Sequence, residues 1–387
     1  MNSMSSPACE PRYINYEQAI EDEQIARIYK EQEEVLFKSQ KPSHPLFSVI
    51  MRTQGKRCAL MEQAIVCLVA QECQDFELVV VAHNAEETDI KEVESLISSF
   101  GSQLKDRVTI AKINVGERGV PLNVGIDQSR GTYVVFLDDD DLVFAHWLSE
   151  FERLANSNPG KIIRSRCVDR FVKNVENPSI PSYVQSGLID SRARKFYLTE
   201  HFFISQTVLH SYATPREAII SKKSYFDETY PVVEDWDFLL RNAELWGVVD
   251  TDSITCVYNR WTNSGSSLHL HESDVWAKYH NKVFQRFSKR GLLVGPNELD
   301  RLYKMWLEHE RFKSFAGPML KDGDRLMINK KENAMSRTIQ YTQYESPMAG
   351  IASKKQAIKF LAKSILPHKF HPKISKLSRV FRQKSGN

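Results

Sequence analysis

Four consecutive aspartates, Asp138, Asp139, Asp140 and Asp141, follow directly on the apolar run Tyr133 to Leu137. Adjacent carboxylates repel one another and aspartate is a poor strand former, so such a run needs a positive partner. A hard divalent cation, Mg²⁺ or Mn²⁺, supplies one, taking one or two carboxylates and completing its shell with water and phosphate oxygens. A solvated acidic turn capping a helix over Leu142 to Ala155 would use one or two of the aspartates well, but not all four. A second acidic group, Glu234-Asp235-Trp236-Asp237, follows Pro231-Val232-Val233 and opens an expected helix through FLLRNAELWG. Carboxylates in a first helical turn suit the helix dipole. They equally suit a reaction in which a carboxylate takes the proton of an attacking hydroxyl while a metal stabilises a departing diphosphate.

The elements that would position these groups begin at Leu46, where short runs rich in Val, Ile and Phe alternate with longer amphipathic stretches. The runs open at Phe47 (FSVIM), Phe76 (FELVVVA), Arg107 (RVTIAKI) and Thr132 (TYVVFLD); Arg57 to Gln74, Glu86 to Phe100 and Pro121 to Ser129 have helical length and period. This alternation predicts an α/β fold, a mostly parallel sheet flanked by helices through right-handed crossovers. Ligands of such sheets bind beyond the carboxyl ends of the strands. The unusual polar residues fall there: Arg52, Thr53 and Gln54 after the first run, His83 and Asn84 after the second, Asn114 after the third, and the four aspartates after the fourth. From Ala155 to Trp261 the pattern is less regular, with an expected loop over Asn174 to Ser186 and an apolar stretch from Phe202 to Leu209. The expected organisation is a helical leader over 1–45, an α/β domain over 46–267, a helical extension over 268–350 and a basic amphipathic tail over 351–387.

Composition narrows the classes of function. In 387 residues, 42% are hydrophobic and 26% charged, ordinary values for a folded chain, and a net charge of +3 is too small to mark a nucleic-acid binder. No nucleic-acid motif accompanies the basic residues, so no nucleic-acid partner is expected. The sequence contains no GxxxxGK[ST], GxGxxG or GxSxG, which disfavours P-loop, dinucleotide-binding and serine-hydrolase chemistry. Six cysteines show no metal-ligand spacing and are expected to be reduced thiols. The start MNSMSSPACEPRY carries no secretory pattern and no window is apolar enough to span a bilayer, so the expected location is the cytoplasm. The tail over 353–387 holds ten Lys or Arg and no acidic residue among apolar positions at helical spacing. That pattern predicts a helix lying on an anionic membrane, peripheral at its inner face.

The pieces FSVIMRTQGKR, FELVVVAHN, PLNVGIDQSRGTYVVFLDDDD, SYFDETYPVVEDWDFLLR and VYNRWTNSGSS, in this order from Phe47 to about Ser267, resemble the family 2 glycosyltransferases. The resemblance implies the nucleotide-diphospho-sugar transferase (GT-A) fold. It also implies an inverting, metal-dependent transfer of a sugar from a nucleotide-diphosphate donor to a carbohydrate or lipid-linked acceptor, as in assembly of cell-surface polysaccharide or glycolipid. By position it places Thr53 and Arg57 near the nucleotide, with His83 and Asn84 where the family often has an acidic residue on the base. Asn123 and Gly125 match the asparagine-x-glycine before the aspartate strand. Leu122 stands where many members have arginine, a charge that Arg118 would replace. Asp138 and Asp140 match the DxD pair on donor and metal, with Asp139 beside the donor and Asp141 a further metal ligand. Asp235 matches the catalytic base, Glu234 its partner, and Arg260 falls in the segment that closes over the diphosphate. The alternative is a glycosyltransferase-like scaffold that binds a membrane or partner without turnover.

Overall fold

The computed structural model describes residues 34–38, 44–174, 182–203, 205–262, 271–288, 298, 300–304 and 307. Two units divide the chain, Met1–Phe196 with Gln206–Leu270 and Tyr197–Ser205 with His271–Asn387. The first contains strands β1 (Glu34–Lys38), β2 (Phe47–Thr53), β3 (Phe76–His83), β4 (Val108–Ile113), β5 (Tyr133–Phe136), β6 (Leu142–Val143), β7 (Ile162–Asn174), β8 (Ser182–Val184), β9 (Tyr212–Pro215) and β10 (Val248–Trp261). The helices, in chain order, are α1 (Cys58–Val69), α2 (Glu87–Ser99), α3 (Gly119–Gln128), α4 (Trp147–Ser157), α5 (Leu198–His201), α6 (Arg216–Lys222), α7 (Glu234–Trp246) and α8 (Ser273–Ser288); α5 and α8 belong to the second unit.

Among the described residues the strands form one sheet in the order β1-β4-β3-β2-β5-β9-β7-β10-β6, with β8 beside β7. The stretch β4-β3-β2-β5 is parallel, as the alternating pattern requires. Its strands are written as unbroken apolar runs because both faces are covered: Val49, Met51, Leu78 and Val80 meet Met61, Ile65, Leu68, Val93 and Ile97 of α1 and α2 in one core. On the opposite face α3 lies so close to β2 that a Cβ on Gly125 would stand 2.3 Å from Ile50 Cγ2, so the glycine of the asparagine-x-glycine is a packing requirement. Beyond β5 the sheet becomes mixed, β9 running antiparallel to both β5 and β7 while β7 and β10 are parallel. This is the mostly parallel α/β sheet flanked by helices that the sequence pattern predicts.

Three segments differ from expectation. Glu34–Lys38, assigned to a helical leader, is a strand that pairs antiparallel with β4 and covers that edge of the sheet. The expected helix from Leu142 opens only at Trp147, because Leu142 and Val143 pair with Val257 and Cys256 of β10. Within the expected loop from Asn174 to Ser186, residues 182–184 pair antiparallel with the end of β7. The rest of the leader, residues 175–181 and 263–270, and the tail over 353–387 with its membrane expectation lie outside the described residues. Among the described residues no helix is long and apolar enough to cross a membrane.

In the second unit the Glu298 carboxylate accepts the N–H groups of Leu198 at 2.7 Å and Thr199 at 3.0 Å at the start of α5, and the rings of Phe202 and Phe287 pack edge to face.

Candidate active site

The first strand of the α/β pattern, β2, has its successors β3 and β4 on one side and β5 on the other. Strand order therefore reverses between β2 and β5, and a crevice at their carboxyl ends is where such a sheet binds ligands. The Arg52 and Thr53 side chains leave β2 there and meet the aspartates that follow β5.

Each aspartate is anchored by donors from other elements. Asp138 takes a forked contact from Arg52, Nε to Oδ1 at 2.8 Å and Nη2 to Oδ2 at 3.1 Å. Asp139 accepts from Thr53 Oγ1 at 2.7 Å and from Arg57 Nη2 at 2.6 Å. Asp140 accepts from Arg57 Nη1 at 2.5 Å and Trp261 Nε1 at 2.8 Å. Asp141 accepts the Asn259 N–H at 2.8 Å and faces His210 Nδ1 at 3.2 Å. Carboxylate oxygens of Asp138, Asp140 and Asp141 lie within 4.8 Å of one another, so this trio could hold a hard divalent cation, whereas Asp139 is turned to Thr53 and Arg57. Burial pushes the Asp139 carboxyl up to about 6, with Arg57 opposing and Asp140 adding to the rise. Burial would raise Asp138 too, yet the Arg52 guanidinium outweighs it and holds the carboxyl below the usual carboxylate range.

Arg52 also reaches the second acidic group: its Nη1 donates to Glu234 Oε1 at 2.9 Å and to the Arg118 carbonyl at 3.0 Å. Arg118 Nε adds a contact to the same Glu234 oxygen at 3.1 Å. Burial would raise the Glu234 carboxyl, but Arg118 and Arg52 together hold it below its ordinary value. Next to it, Asp235 accepts the Trp236 N–H at 2.8 Å and is pushed up to about 6, by burial first and by the Glu234 charge second. The pair opens α7 directly after Val233, a β-branched residue at φ 59°, where a side chain is strained. That left-handed turn sets the first turn of the helix against Arg52.

The other expected site residues divide. His83 sets Nε2 at 3.2 and 3.1 Å from the Val115 and Gly116 carbonyls, and burial lowers its pKa, so the neutral ring serves the loop after β4. Asn84 is exposed at the end of β3 in a left-handed conformation that asparagine tolerates. Asn123, read from sequence as a donor contact, is buried and fully engaged elsewhere: Nδ2 donates to the Phe226 carbonyl and to Glu228, and Oδ1 accepts the Phe226 N–H. It holds the loop that leads to Glu234. Arg260 pairs with Asp169 at 3.2 Å and lies over the Tyr258 ring, while its neighbours Asn259 and Trp261, on the opposite side of β10, contact the aspartates. Sequence reading did not single out Arg52, Trp261 or His210 for this site. Only Arg52 carried a signal, its place after the first strand.

The glycosyl transferase family 2 model matches residues 48–216, from β2 through β9. An uncharacterized glycosyltransferase of Methanocaldococcus jannaschii is 25% identical over 201 residues, which are 51% of this chain and 64% of that protein, so the match spans less than two thirds of that relative. The poly(ribitol-phosphate) beta-N-acetylglucosaminyltransferase TarP of Staphylococcus aureus is 22% identical over 287 residues, 70% of this chain and 81% of TarP. A structure of S. aureus TarS residues 1–349 in complex with UDP-GlcNAc aligns with a TM-score of 0.49 at 17% identity, covering 71% of this chain and 76% of that one. The acidic run lies inside the matched segment. Glu234 and Asp235 lie beyond it, and Arg52 joins Glu234 to it.

Proposed function

We propose that this chain transfers a glycosyl group from a nucleoside-diphosphate sugar to an acceptor hydroxyl, with inversion at the anomeric carbon. The observation that supports the reading is the Arg52 bridge, which ties Glu234, the neighbour of Asp235, to the acidic run at the strand switch point. In the reaction the Asp235 carboxylate takes the acceptor's hydroxyl proton as that oxygen bonds to the anomeric carbon. The bond from that carbon to the diphosphate breaks, and its electron pair leaves on the nucleoside diphosphate. Glu234 stays ionised between Arg52 and Arg118 and keeps Asp235 basic enough to accept a proton near neutral pH. Mg²⁺ or Mn²⁺ on Asp138, Asp140 and Asp141 would neutralise charge on the leaving diphosphate. The residues fit such an ion: three hard oxygen donors converge, and Arg57, whose side chain is 38% exposed, can release Asp140 where Arg52, at 13%, is fixed. The TarP relative, which acts on poly(ribitol-phosphate), supports a cell-surface polymer or glycolipid as acceptor. The test is a panel of nucleotide sugars assayed for cation-dependent hydrolysis, then for transfer with the product's anomeric configuration read by NMR. Retained configuration would rule out the single displacement.

A further inference from the structure

Cys167 of β7 and Cys256 of β10 stand opposite each other in the parallel register of their strands, and both are buried. His210, in the short turn Leu209–Ser211 that enters β9, is buried beside them. Its Nε2 lies 3.7 Å from Cys167 Sγ, and the two sulfurs and a ring nitrogen all fall within 4.8 Å of one another. The other ring nitrogen, Nδ1, faces Asp141 Oδ2 at 3.2 Å. Both sulfurs are free thiols. The transfer reaction uses neither the thiols nor the imidazole, so their convergence calls for another explanation.

Three features point to a cation. The donor set, two sulfurs and an imidazole, is that of a thiophilic ion and differs in kind from the hard oxygens of the aspartate trio. The spacing fits as well: zinc–sulfur bonds of about 2.3 Å and zinc–nitrogen bonds of about 2.0–2.1 Å at tetrahedral angles set neighbouring ligand atoms roughly 3.5–3.8 Å apart. The Cys167–His210 separation of 3.7 Å lies in that interval. Lastly, a carboxylate on the far nitrogen of a ligating imidazole is the arrangement that fixes its tautomer and aims the other nitrogen at a metal, and Asp141 holds His210 in this way.

We propose that Cys167 Sγ, Cys256 Sγ and His210 Nε2 bind a zinc ion, with water in the fourth position. Binding converts the two thiols to thiolates and releases two protons. The ion ties β7 and β10 to the turn before β9. Through His210 it steadies Asp141, which makes His210 a positioning residue for the acidic run.

The test uses the full chain produced in zinc-supplemented medium, desalted and analysed for metal by plasma mass spectrometry, with about one zinc per chain expected. Zinc content should fall about tenfold or more in Cys167→Ser and Cys256→Ser, and stay at the wild-type level in Cys73→Ser, whose buried sulfur lies outside the group. Exchange of the zinc for cobalt should produce a thiolate-to-cobalt charge-transfer band that both cluster variants lack. Should those variants fail to fold, the wild-type stoichiometry and cobalt spectrum decide. Wild-type protein with less than about a tenth of an equivalent of zinc overturns the proposal. So does a Cys167–Cys256 disulfide in the unreduced protein, or zinc undiminished in folded Cys167→Ser.

Discussion

The acidic run after β5 and the acidic pair opening α7 use the same kinds of side chain with different partners. In the run, the four carboxylates are met by donors from three places, Arg52 and Thr53 of β2, Arg57 before α1, and Asn259 and Trp261 of β10. In the pair, the guanidiniums go to Glu234, and among the described residues the Asp235 carboxylate takes a hydrogen bond from the Trp236 N–H alone. Carboxylates pinned by guanidinium, hydroxyl and amide donors are held in place for binding charge, whereas one with a single N–H partner beside a like charge is freer to take a proton from a substrate. On the proposed reading the run serves the leaving diphosphate and Asp235 the acceptor. The comparison can be broken at either end.

The largest effect is expected from Asp140→Ala. Transfer should fall by about three orders of magnitude or more, since the variant removes the central carboxylate of the expected cation site. Melting should stay within a few degrees, because Arg57 keeps its contact with Asp139 and is part exposed. Full activity in the variant, or in wild-type protein treated with chelator, would remove the metal from the mechanism.

Next in size is Asp235→Asn, which keeps shape and removes proton acceptance. Turnover should drop by about two to four orders of magnitude with donor affinity nearly unchanged, as measured by kcat and by calorimetric titration of the donor. The same change should stabilise the fold by on the order of 1 kcal/mol at neutral pH, since a carboxyl raised to about 6 is a charge the folded state disfavours. Glu234→Gln should have the opposite sign. It leaves two guanidiniums, one of them largely buried, short of a counter-charge and should cost about 2–3 kcal/mol in denaturant unfolding. Equal signs for the two variants would mean that the pair acts as one helix cap.

Much of this was legible before any coordinates. Parallel strands buried on both faces must be written as unbroken Val and Ile runs, and four adjacent aspartates have few structural uses, so β2 to β5 and the acidic run stood out. What was hidden depended on long-range register. Cys167, Cys256 and His210 have no telling spacing in the chain and meet only because β7 and β10 pair in one particular alignment. Asn123 looked like a donor contact because it belongs to a matching motif, yet its amide is spent on Phe226 and Glu228. Glu34–Lys38 sits among acidic residues at helical spacing, and only the free edge of β4 makes it a strand.

The smallest and most discriminating effect is on pH dependence. If Asp235 is the base, kcat/KM should be level near neutrality and lose about tenfold per unit as pH falls below about 6, because the carboxylate must be unprotonated to accept the acceptor's proton. Asp139 is also raised to about 6, so the position of the limb alone does not name the group. Their neighbours differ. Asp235 is raised in part by the Glu234 charge, whereas Asp139 is raised by burial and by Asp140. Glu234→Gln should therefore move the acidic limb to lower pH by removing one cause of the rise. A limb that keeps its position in that variant would give the proton acceptance to a group outside the α7 pair and dissolve the division of labour between the two acidic segments.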